Sequence, residues 1–254
     1  MRFAVWPVAP ARALGEALRG VGPVTEVVTV APYEAAAALR EGRADLALVP
    51  TLDVLRDPDA FAVVPGVGLV GERCPTVRLV VAGPLDAVKT VAFDPRYGQE
   101  VLLTQLLLRE HYGAAPSFAP ADSGLPLAER LAGRDAALVP VSDVAEGEGL
   151  VVLDLGQEWT DLTLRPMVWG LVAARAGTLD ADVAAALAEA AAAAPPADVT
   201  DEETRHYQLT LDGYAHAGLD ELVNHLYYHR VLDDLPAIPF VVPPGEENED
   251  EADA

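Results

Sequence analysis

The fold is decided by Asp45-Leu46-Ala47-Leu48-Val49-Pro50-Thr51-Leu52-Asp53-Val54, a stretch that returns ninety residues later as Asp135-Ala136-Ala137-Leu138-Val139-Pro140-Val141-Ser142-Asp143-Val144. Seven of the ten positions are identical. In both copies an apolar run ends at a proline, which is typical of a buried strand. Two such strands predict two similar lobes, although the same pattern also arises by simple alternation in an alanine-rich chain.

Polar residues follow both of these predicted strands. Thr51 follows the first strand, and Ser142 and Asp143 follow the second. Open α/β sheets bind their ligands beyond the carboxyl ends of the strands. Thr51 and Ser142 are therefore candidate ligand contacts and Asp143 is a candidate base. Each could instead cap the turn or helix that follows.

The charge of the chain limits the partners that it can bind. The 254 residues carry a net charge of −23, from 40 acidic and 17 basic residues. This charge repels nucleic acid and anionic membranes, so we expect neither as a partner. An anionic ligand would need a local arginine or a helix N-terminus to hold it.

The cysteine content and the hydropathy of the chain exclude other classes. The single cysteine, Cys74, excludes an internal disulfide and a cysteine-based metal site. No apolar run approaches the roughly 18–20 residues that a membrane span needs, so the sequence predicts a cytoplasmic protein.

Strands alternate with helices along the chain, which predicts mainly parallel sheets. The predicted first lobe comprises residues 1–86 and 173–244, and the second comprises 87–172. Residues 245–254 contain six acids and predict a disordered tail.

Several predicted elements are specific enough to test. They are strand-like segments at Phe61–Val64 and Val67–Val70, around Pro65-Gly66; a helix over Gln99–Tyr112 with Val101, Leu102, Leu106 and Leu108 inward; an apolar strand over Pro166–Val172, into which Gln157–Leu162 leads; and helices over Glu202–Tyr214 and Leu219–Val231.

The start of the Gln99–Tyr112 helix is the second candidate binding feature. The free N–H groups at Gly98 and Gln99 could hold a carboxylate, or they could simply begin a helix. Arg96 could pair with the same carboxylate or lie on the surface. Tyr97 could stack on a ring or cover the loop, and Glu100 would point to solvent or meet Arg96.

Three segments resemble one family when they are taken in order. They are LREGRADLALVPTLDVLRDPDAFAVVPGVGL, VKTVAFDPRYGQEVLLTQLLLREHYGAAPSFAP and VVLDLGQEWTDLTLRPMVWGLVAAR. Together they are similar to the MqnA-type chorismate dehydratases of the futalosine route to menaquinone.

This resemblance implies a fold and a reaction. The fold is α/β, a two-lobed type II periplasmic-binding-protein-like fold with a ligand cleft between the lobes. The reaction removes water from chorismate to give 3-[(1-carboxyvinyl)oxy]benzoate, and it implies no metal and no cofactor.

The resemblance also assigns further site residues. Thr163 matches a family threonine, Arg165 replaces an apolar residue and could supply positive charge, and Trp169 is core or pocket wall. Thr76 could donate to a carboxylate, whereas Cys74 has no neighbouring histidine in the sequence and is predicted to be inert.

The chain departs from the family at its pocket motifs. Pro7-Val8-Ala9-Pro10 stands where the family has Ser-Tyr-Leu-Asn, and residues 96–100 lack the hydroxyls of the family's Asp-Pro-Ser-Ser-x-Thr-Ser motif. The segment 71–77 keeps at most Thr76 from another hydroxyl-rich motif of the family.

Other motifs argue against competing chemistries. His225 and His229 are four residues apart but lack the glutamate and third ligand of a zinc site. There is no glycine-rich phosphate loop and no Gly-x-Ser-x-Gly elbow.

The leading hypothesis is therefore a cytoplasmic carbon–oxygen lyase acting on chorismate. A non-catalytic binding protein for a small carboxylate is the alternative. A related lyase that acts later in the route, on cyclic dehypoxanthinyl futalosine, is disfavoured because its histidine-bearing strand-end segment is missing.

Overall fold

The computed structural model describes residues 1–122, 124–144, 149–194 and 201–242. The chain forms two compact units. Unit 1 is built from Met1–Val70 and Val168–Ala254, and unit 2 from Gly71–Met167. Each unit contains one β-sheet with helices packed against it.

Eleven strands are found in the described part of the chain: β1 (Arg2–Val5), β2 (Glu26–Thr29), β3 (Leu46–Pro50), β4 (Phe61–Gly71), β5 (Val77–Val81), β6 (Thr90–Phe93), β7 (Ser117–Pro120), β8 (Ala136–Pro140), β9 (Val151–Leu153), β10 (Met167–Arg175) and β11 (Tyr207–Thr210). The α-helices there are α1 (Ala9–Leu18), α2 (Pro32–Arg40), α3 (Thr51–Arg56), α4 (Gly98–Glu110), α5 (Leu127–Arg130), α6 (Leu155–Thr163), α7 (Ala181–Ala193) and α8 (Gly213–Tyr228).

The sheet of unit 1 has six strands in the order β11-β4-β10-β3-β1-β2. Strand β1 is parallel to both of its neighbours, β2 and β3, and β3 is antiparallel to β10. Strand β3 is buried along its whole length, as its uninterrupted apolar sequence predicts.

The sheet of unit 2 has five strands in the order β7-β6-β8-β5-β9 and repeats the same pattern. Strand β6 is parallel to β7 and β8, and β8 is antiparallel to β5. The two copies of the repeated stretch, β3 and β8, thus occupy equivalent positions. The prediction of two similar α/β lobes is confirmed, whereas both sheets are mixed rather than mainly parallel.

The first aspartate of each repeat has the same structural role in both units. The Asp45 carboxylate accepts a hydrogen bond of 2.7 Å from the backbone N–H of Arg2, at the start of β1. The Asp135 carboxylate accepts from the N–H and the hydroxyl of Thr90, at 2.9 and 2.8 Å, where β6 begins. Each aspartate therefore ties the central strand to its parallel neighbour.

The predicted domain boundaries differ from the observed division of the chain. Residues 1–86 plus 173–244 and 87–172 were the expected lobes, but β5 lies in the second sheet because it pairs with β8. The predicted tail, 245–254, lies outside the described residues. The ligand cleft that the sequence predicts between the lobes stays a prediction.

Two predictions are wrong, and one helix lies in a segment for which the sequence predicted no element. Phe61–Val64 and Val67–Val70 form one strand, β4, because Gly66 adopts a left-handed φ of 72° that lets the chain pass Pro65 without a break. Residues Gln157–Leu162 lie within helix α6, which is capped by the side chain of Asp154. The Glu202–Tyr214 helix does not form, because β11 pairs at the edge of the sheet of unit 1 next to β4.

Helix α8 begins at Gly213, six residues before the predicted Leu219, because the Asp212 carboxylate caps its first turn. The inward face of α4 also differs from the expected one. Leu106 and Leu108 are buried as predicted, but Leu103 and Leu107 replace Val101 and Leu102, which are only partly buried. Within the described residues, no helix is both long enough and apolar enough to cross a membrane.

Candidate functional site

The carboxyl ends of three parallel strands in unit 2 gather most of the predicted site residues. Because β6 runs parallel to β7 and β8, the residues that follow these strands lie at one edge of the sheet. The loop after β6 carries Arg96 and Tyr97, and the turn after β8 carries Ser142 and Asp143. A surface hollow at this edge is lined by Asp94, Pro95, Arg96, Pro120, Ala121 and Asp122.

Arg96 is held by Asp94, the residue that follows β6. The buried Asp94 carboxylate accepts from the Arg96 backbone N–H and from its guanidinium Nε, each at 3.0 Å. The guanidinium remains about half exposed. A ligand carboxylate that paired with Arg96 would therefore compete with Asp94 for the same positive charge.

Glu100 is the most unexpected residue of this edge. We expected Glu100 to point to solvent or to meet Arg96. The first alternative is wrong, because the residue is only 6% exposed. The Thr76 hydroxyl donates to Glu100 Oε1 at 2.6 Å. Glu100 is the third residue of α4, where the partial positive charge of the helix N-terminus stabilises a carboxylate.

Cys74 is also buried, and it lies next to Thr76. Its Sγ lies 3.4 Å from the Thr76 hydroxyl. Burial raises the pKa of the Cys74 thiol to about 12, and the nearby carboxylates of Glu100 and Asp154 act in the same direction. The thiol therefore stays protonated at neutral pH, in agreement with the predicted inert cysteine.

Tyr97 connects the buried group to the exposed edge. The residue precedes Gly98, which begins α4, and its side chain is partly buried. Burial raises the pKa of the Tyr97 phenol, with further contributions from the negative charges of Glu100, Asp94 and Asp143. The phenol is thus a stable hydrogen-bond donor within electrostatic range of all three carboxylates.

Gly98 and Gln99 are the first two residues of α4, as the sequence predicts. Gly98 is exposed, and a Cβ added there would have no neighbour within 4 Å. Gln99 is buried. A small group could therefore approach the backbone at Gly98, although Glu100 already supplies one negative charge to this helix end.

Asp143 is engaged by partners on both of its oxygen atoms. A guanidinium Nη2 of the buried Arg130 lies 3.2 Å from Asp143 Oδ2, and the Ser142 hydroxyl donates to Oδ1 at 2.8 Å. The assignment of Asp143 as a base stays a prediction. To act as a base, Asp143 would have to release Arg130 or the Ser142 hydroxyl before it could accept a proton from the substrate.

Thr163 and Arg165 lie together at the end of α6. The Thr163 hydroxyl donates to the Trp159 carbonyl at 2.8 Å and accepts from the Arg165 backbone N–H at 3.2 Å. Leu164 between them adopts a left-handed φ of 58°. Thr163 therefore closes the helix, and Arg165 is exposed beside it.

Thr51 and Trp169 belong to unit 1. The Thr51 side chain is fully buried and its hydroxyl donates to the Val168 carbonyl at 2.7 Å. Trp169, the next residue of β10, is also fully buried. The structure thus brings Thr76, Arg96, Tyr97, Gly98 and Gln99 together with the Ser142–Asp143 turn, and it places Thr51 and Trp169 in the other unit.

Sequence reasoning missed Asp154, Arg130 and the role of Glu100. Asp154 caps α6, accepts from the Cys74 backbone N–H at 2.8 Å and pairs with Arg78 at 2.9 Å. The sequence did contain a signal for Glu100, because a charged residue stands at this position where the family motif has a hydroxyl residue. Across the described residues, no group of histidine, cysteine, aspartate or glutamate side chains is arranged to hold a metal ion.

The fold is similar to several solved structures. Protein AF1704 from Archaeoglobus fulgidus gives a TM-score of 0.62 at 18% identity, over 91% of this chain and 98% of that one. An ABC transporter from Parabacteroides distasonis gives 0.61 at 16% identity, over 96% and 99%. The periplasmic aliphatic sulphonate binding protein SsuA from Escherichia coli gives 0.56 at 16% identity, over 94% of each chain. These likenesses show a fold like that of periplasmic binding proteins, as the sequence predicts.

The particular family follows from the sequence match. The chain belongs to the menaquinone biosynthesis family VitK2_biosynth, whose model matches residues 1–231. The resemblance noted from the three sequence segments is thereby confirmed at the level of the family. A comparison with curated proteins gave no match.

Proposed function

We propose that this protein is a cytoplasmic chorismate dehydratase, a hydro-lyase that removes water from chorismate in the futalosine route to menaquinone. The observation that carries the proposal is membership of the menaquinone biosynthesis family over residues 1–231. The polar edge of unit 2 is the part of the chain with suitable chemistry. The proposed partner is the small carboxylate substrate, and the reaction needs no redox step.

The residues of this edge would bind the substrate through several kinds of contact. The backbone N–H groups at Gly98 and Gln99, with Arg96, would hold a carboxylate. Tyr97 would lie against the ring, and Thr76 and Ser142 would offer hydroxyls. Thr51, which follows the first repeated strand, remains a proposed contact. Thr163, Arg165 and, as pocket wall, Trp169 remain proposed contacts from the family resemblance.

Oriented binding of this kind can account for a large part of the rate. Loss of water makes the ring aromatic, so the reaction is downhill and the protein must mainly orient the ring and move one proton. Positioning can contribute several kcal/mol, and one acid–base group contributes about 10²–10⁴ in rate.

The experiment is turnover of chorismate by the purified protein, followed by ultraviolet absorbance and by chromatography of the product. We expect consumption of chorismate with formation of one enolpyruvyl-substituted benzoate. Heat-denatured protein serves as the control for spontaneous breakdown of chorismate. An unchanged chorismate concentration with the native protein would refute the dehydratase.

A specific observation favours a second candidate, a non-catalytic binding protein for a small carboxylate. The family hydroxyls at residues 96–100 are lost, and Asp94 already pairs with the arginine that stands in their place. Thermal shift measurements with chorismate separate the candidates. A raised melting temperature with no consumption of chorismate supports the binding protein.

A further inference from the structure

Arg130 is a buried cation beside the polar edge of unit 2. Its side chain is 3% exposed, and it is the last residue of the short helix α5. Its Nε donates to the Leu125 carbonyl at 2.7 Å, and its Nη2 lies 3.2 Å from Asp143 Oδ2. Leu125 lies after β7 and Asp143 lies after β8, the two strands that flank β6. One arginine therefore connects two of the segments at this edge, and pairing stabilises its buried charge.

The two carboxylate oxygens of Asp143 have different surroundings. Oδ2 meets the buried Arg130, whereas Oδ1 accepts at 2.8 Å from the hydroxyl of Ser142, an exposed residue. The Asp143 side chain is 45% exposed, so a ligand can reach it. Its negative charge also acts on the Tyr97 phenol, so the turn after β8 lies within electrostatic range of the loop after β6. Asp143 thus has one oxygen held by a buried cation and the other held by a hydroxyl that can rotate away.

The internal repeat contains an equivalent arginine that has a different partner. Arg40 and Arg130 each lie five residues before the first aspartate of the repeated stretch, and each is the last residue of its helix. The Arg40 side chain is 51% exposed, and its Nη2 lies 2.9 Å from Oδ2 of Asp57, which is equally exposed. The repeated fold by itself therefore does not require a buried arginine here. The inward position of Arg130 belongs to unit 2, the unit that carries the polar edge.

We infer that Arg130 is the positioning residue for Asp143 as the base of this site, an inference that rests on the proposed dehydration. Asp143 Oδ1 takes the hydrogen as a proton from the ring carbon that bears the enolpyruvyl ether. The C–H electron pair forms the new ring double bond, and the C–O bond of the neighbouring hydroxyl breaks. Asp143 returns the proton to the departing oxygen, so that one water leaves. Arg130 holds Oδ2 throughout, while the Ser142 hydroxyl releases Oδ1.

The effect of Arg130 on the rate follows from the shape of its side chain. A guanidinium presents its N–H groups in a rigid fork, so the contact with the Leu125 carbonyl fixes the direction from which Nη2 meets Asp143. Misplacement of a reacting group by about 1 Å can lower a rate by about 10²-fold. Because Arg130 is withdrawn from the surface, it would not contact the substrate. Its replacement should therefore change kcat more than KM.

The test compares Arg130→Lys with the wild type and with Arg40→Lys, the same change at the equivalent position of unit 1. Lysine keeps the positive charge but loses the rigid fork. We expect Arg130→Lys to lower kcat by about 10–10² with little change in KM. Arg40→Lys should retain the wild-type kcat and KM. If Arg130→Lys does not fold, Arg130→Gln, which keeps an amide donor without the charge, replaces it.

A double variant supplies a readout that a purely structural role would not give. Asp143→Asn removes the base and should lower kcat by about 10²–10⁴. If Arg130 acts through Asp143, the further change Arg130→Lys should lower the kcat of Asp143→Asn no more, because the group that the arginine positions is already lost. Two independent effects would instead multiply.

The outcomes separate this inference from the proposed function. An active wild type with an equally active Arg130 variant overturns the role of Arg130 alone. An Asp143→Asn variant with the wild-type kcat, or a double variant in which the two effects multiply, overturns it as well and leaves the dehydratase standing. A wild type that leaves chorismate unchanged overturns the dehydratase and this inference together.

Discussion

At the scale of single residues, the reactivity of Cys74 depends on the buried polar residues around it in unit 2. The side chain is fully buried, next to Thr76 and within electrostatic range of Glu100 and Asp154. Burial and the two negative charges raise the pKa of the thiol to about 12. The thiolate is the form that attacks an alkylating reagent, so both the access and the reactive form are missing in the native protein.

We therefore predict that iodoacetamide at mildly alkaline pH leaves Cys74 unmodified in the native protein. In concentrated urea the thiol returns to the ordinary pKa of about 8.5 and should be alkylated rapidly. Mass spectrometry measures the modification directly, since the chain contains a single cysteine. Rapid alkylation of the native protein would contradict the buried cluster around Thr76 and Glu100.

The sequence predicted some site residues well because their positions depend on local structure. Gly98 and Gln99 begin α4, and Ser142 and Asp143 follow a strand, as turn and helix signals indicate. The burial of Glu100 could not be read in this way. It depends on contact with Thr76, a residue 24 positions away that only the tertiary fold brings near.

At the scale of secondary-structure elements, the start of α6 depends on one very close approach. A Cβ added at Gly156 would lie 2.7–2.8 Å from the backbone atoms of Arg73. This neighbouring segment is fixed from two sides, because the Cys74 N–H donates to Asp154 and Arg78 donates to the Cys74 carbonyl. The backbone therefore has little freedom to move away from a larger residue.

We predict that Gly156→Ala lowers the free energy of unfolding by about 1–3 kcal/mol, the range observed for overpacked sites. Gly213→Ala is the matched control, because it also changes a glycine of a first helical turn but meets no atom within 4 Å. The control should be neutral or slightly stabilising, since alanine favours a helix. Urea denaturation measures both, and equal stability of the two variants would refute the close approach.

Elements with strong local signals were predicted, and those that depend on a distant partner were not. Strands β3 and β8 carry continuous apolar runs that end at a proline. Strand β11 was predicted as helix, because its pairing at the sheet edge next to β4 leaves no mark in its own sequence. Helix α6 was missed although its capping residue, Asp154, is a local signal: its side chain accepts from the backbone N–H groups of Gly156 and Gln157.

At the scale of the whole molecule, the net charge of −23 is large for 254 residues. Like charges repel one another in the compact state, and this repulsion lowers stability unless dissolved ions screen it. Part of the charge lies in the acidic residues 245–254, outside the described part of the chain. The remainder is spread over both units.

We predict that the melting temperature rises by a few degrees as NaCl increases from about 0.01 M to about 1 M, because the Debye length falls from about 30 to about 3 Å. Differential scanning calorimetry provides the measurement. Sucrose at matched osmolality is the control for excluded-solute effects, and the increase with NaCl should exceed it. A melting temperature that falls with NaCl would show that favourable ion pairs outweigh the repulsion.

The broad architecture was predictable because it follows from patterns repeated along the chain. Membership of the menaquinone biosynthesis family and the two-unit α/β fold were both anticipated from the order of three segments. The observed division after Val70 was not, because β5 continues the apolar pattern of the strands before it but pairs in the second sheet.

The tether formed by Asp45 and Asp135 bears on the ancestry of the chain. In each unit the aspartate that precedes the central strand accepts a hydrogen bond from the first backbone N–H of the parallel neighbour: Asp45 from Arg2 of β1, and Asp135 from Thr90 of β6. Agreement of sequence, strand order and hydrogen bond in one place is the pattern that duplication of one segment leaves in a chain. The two units thereby provide an internal comparison for each other, position by position.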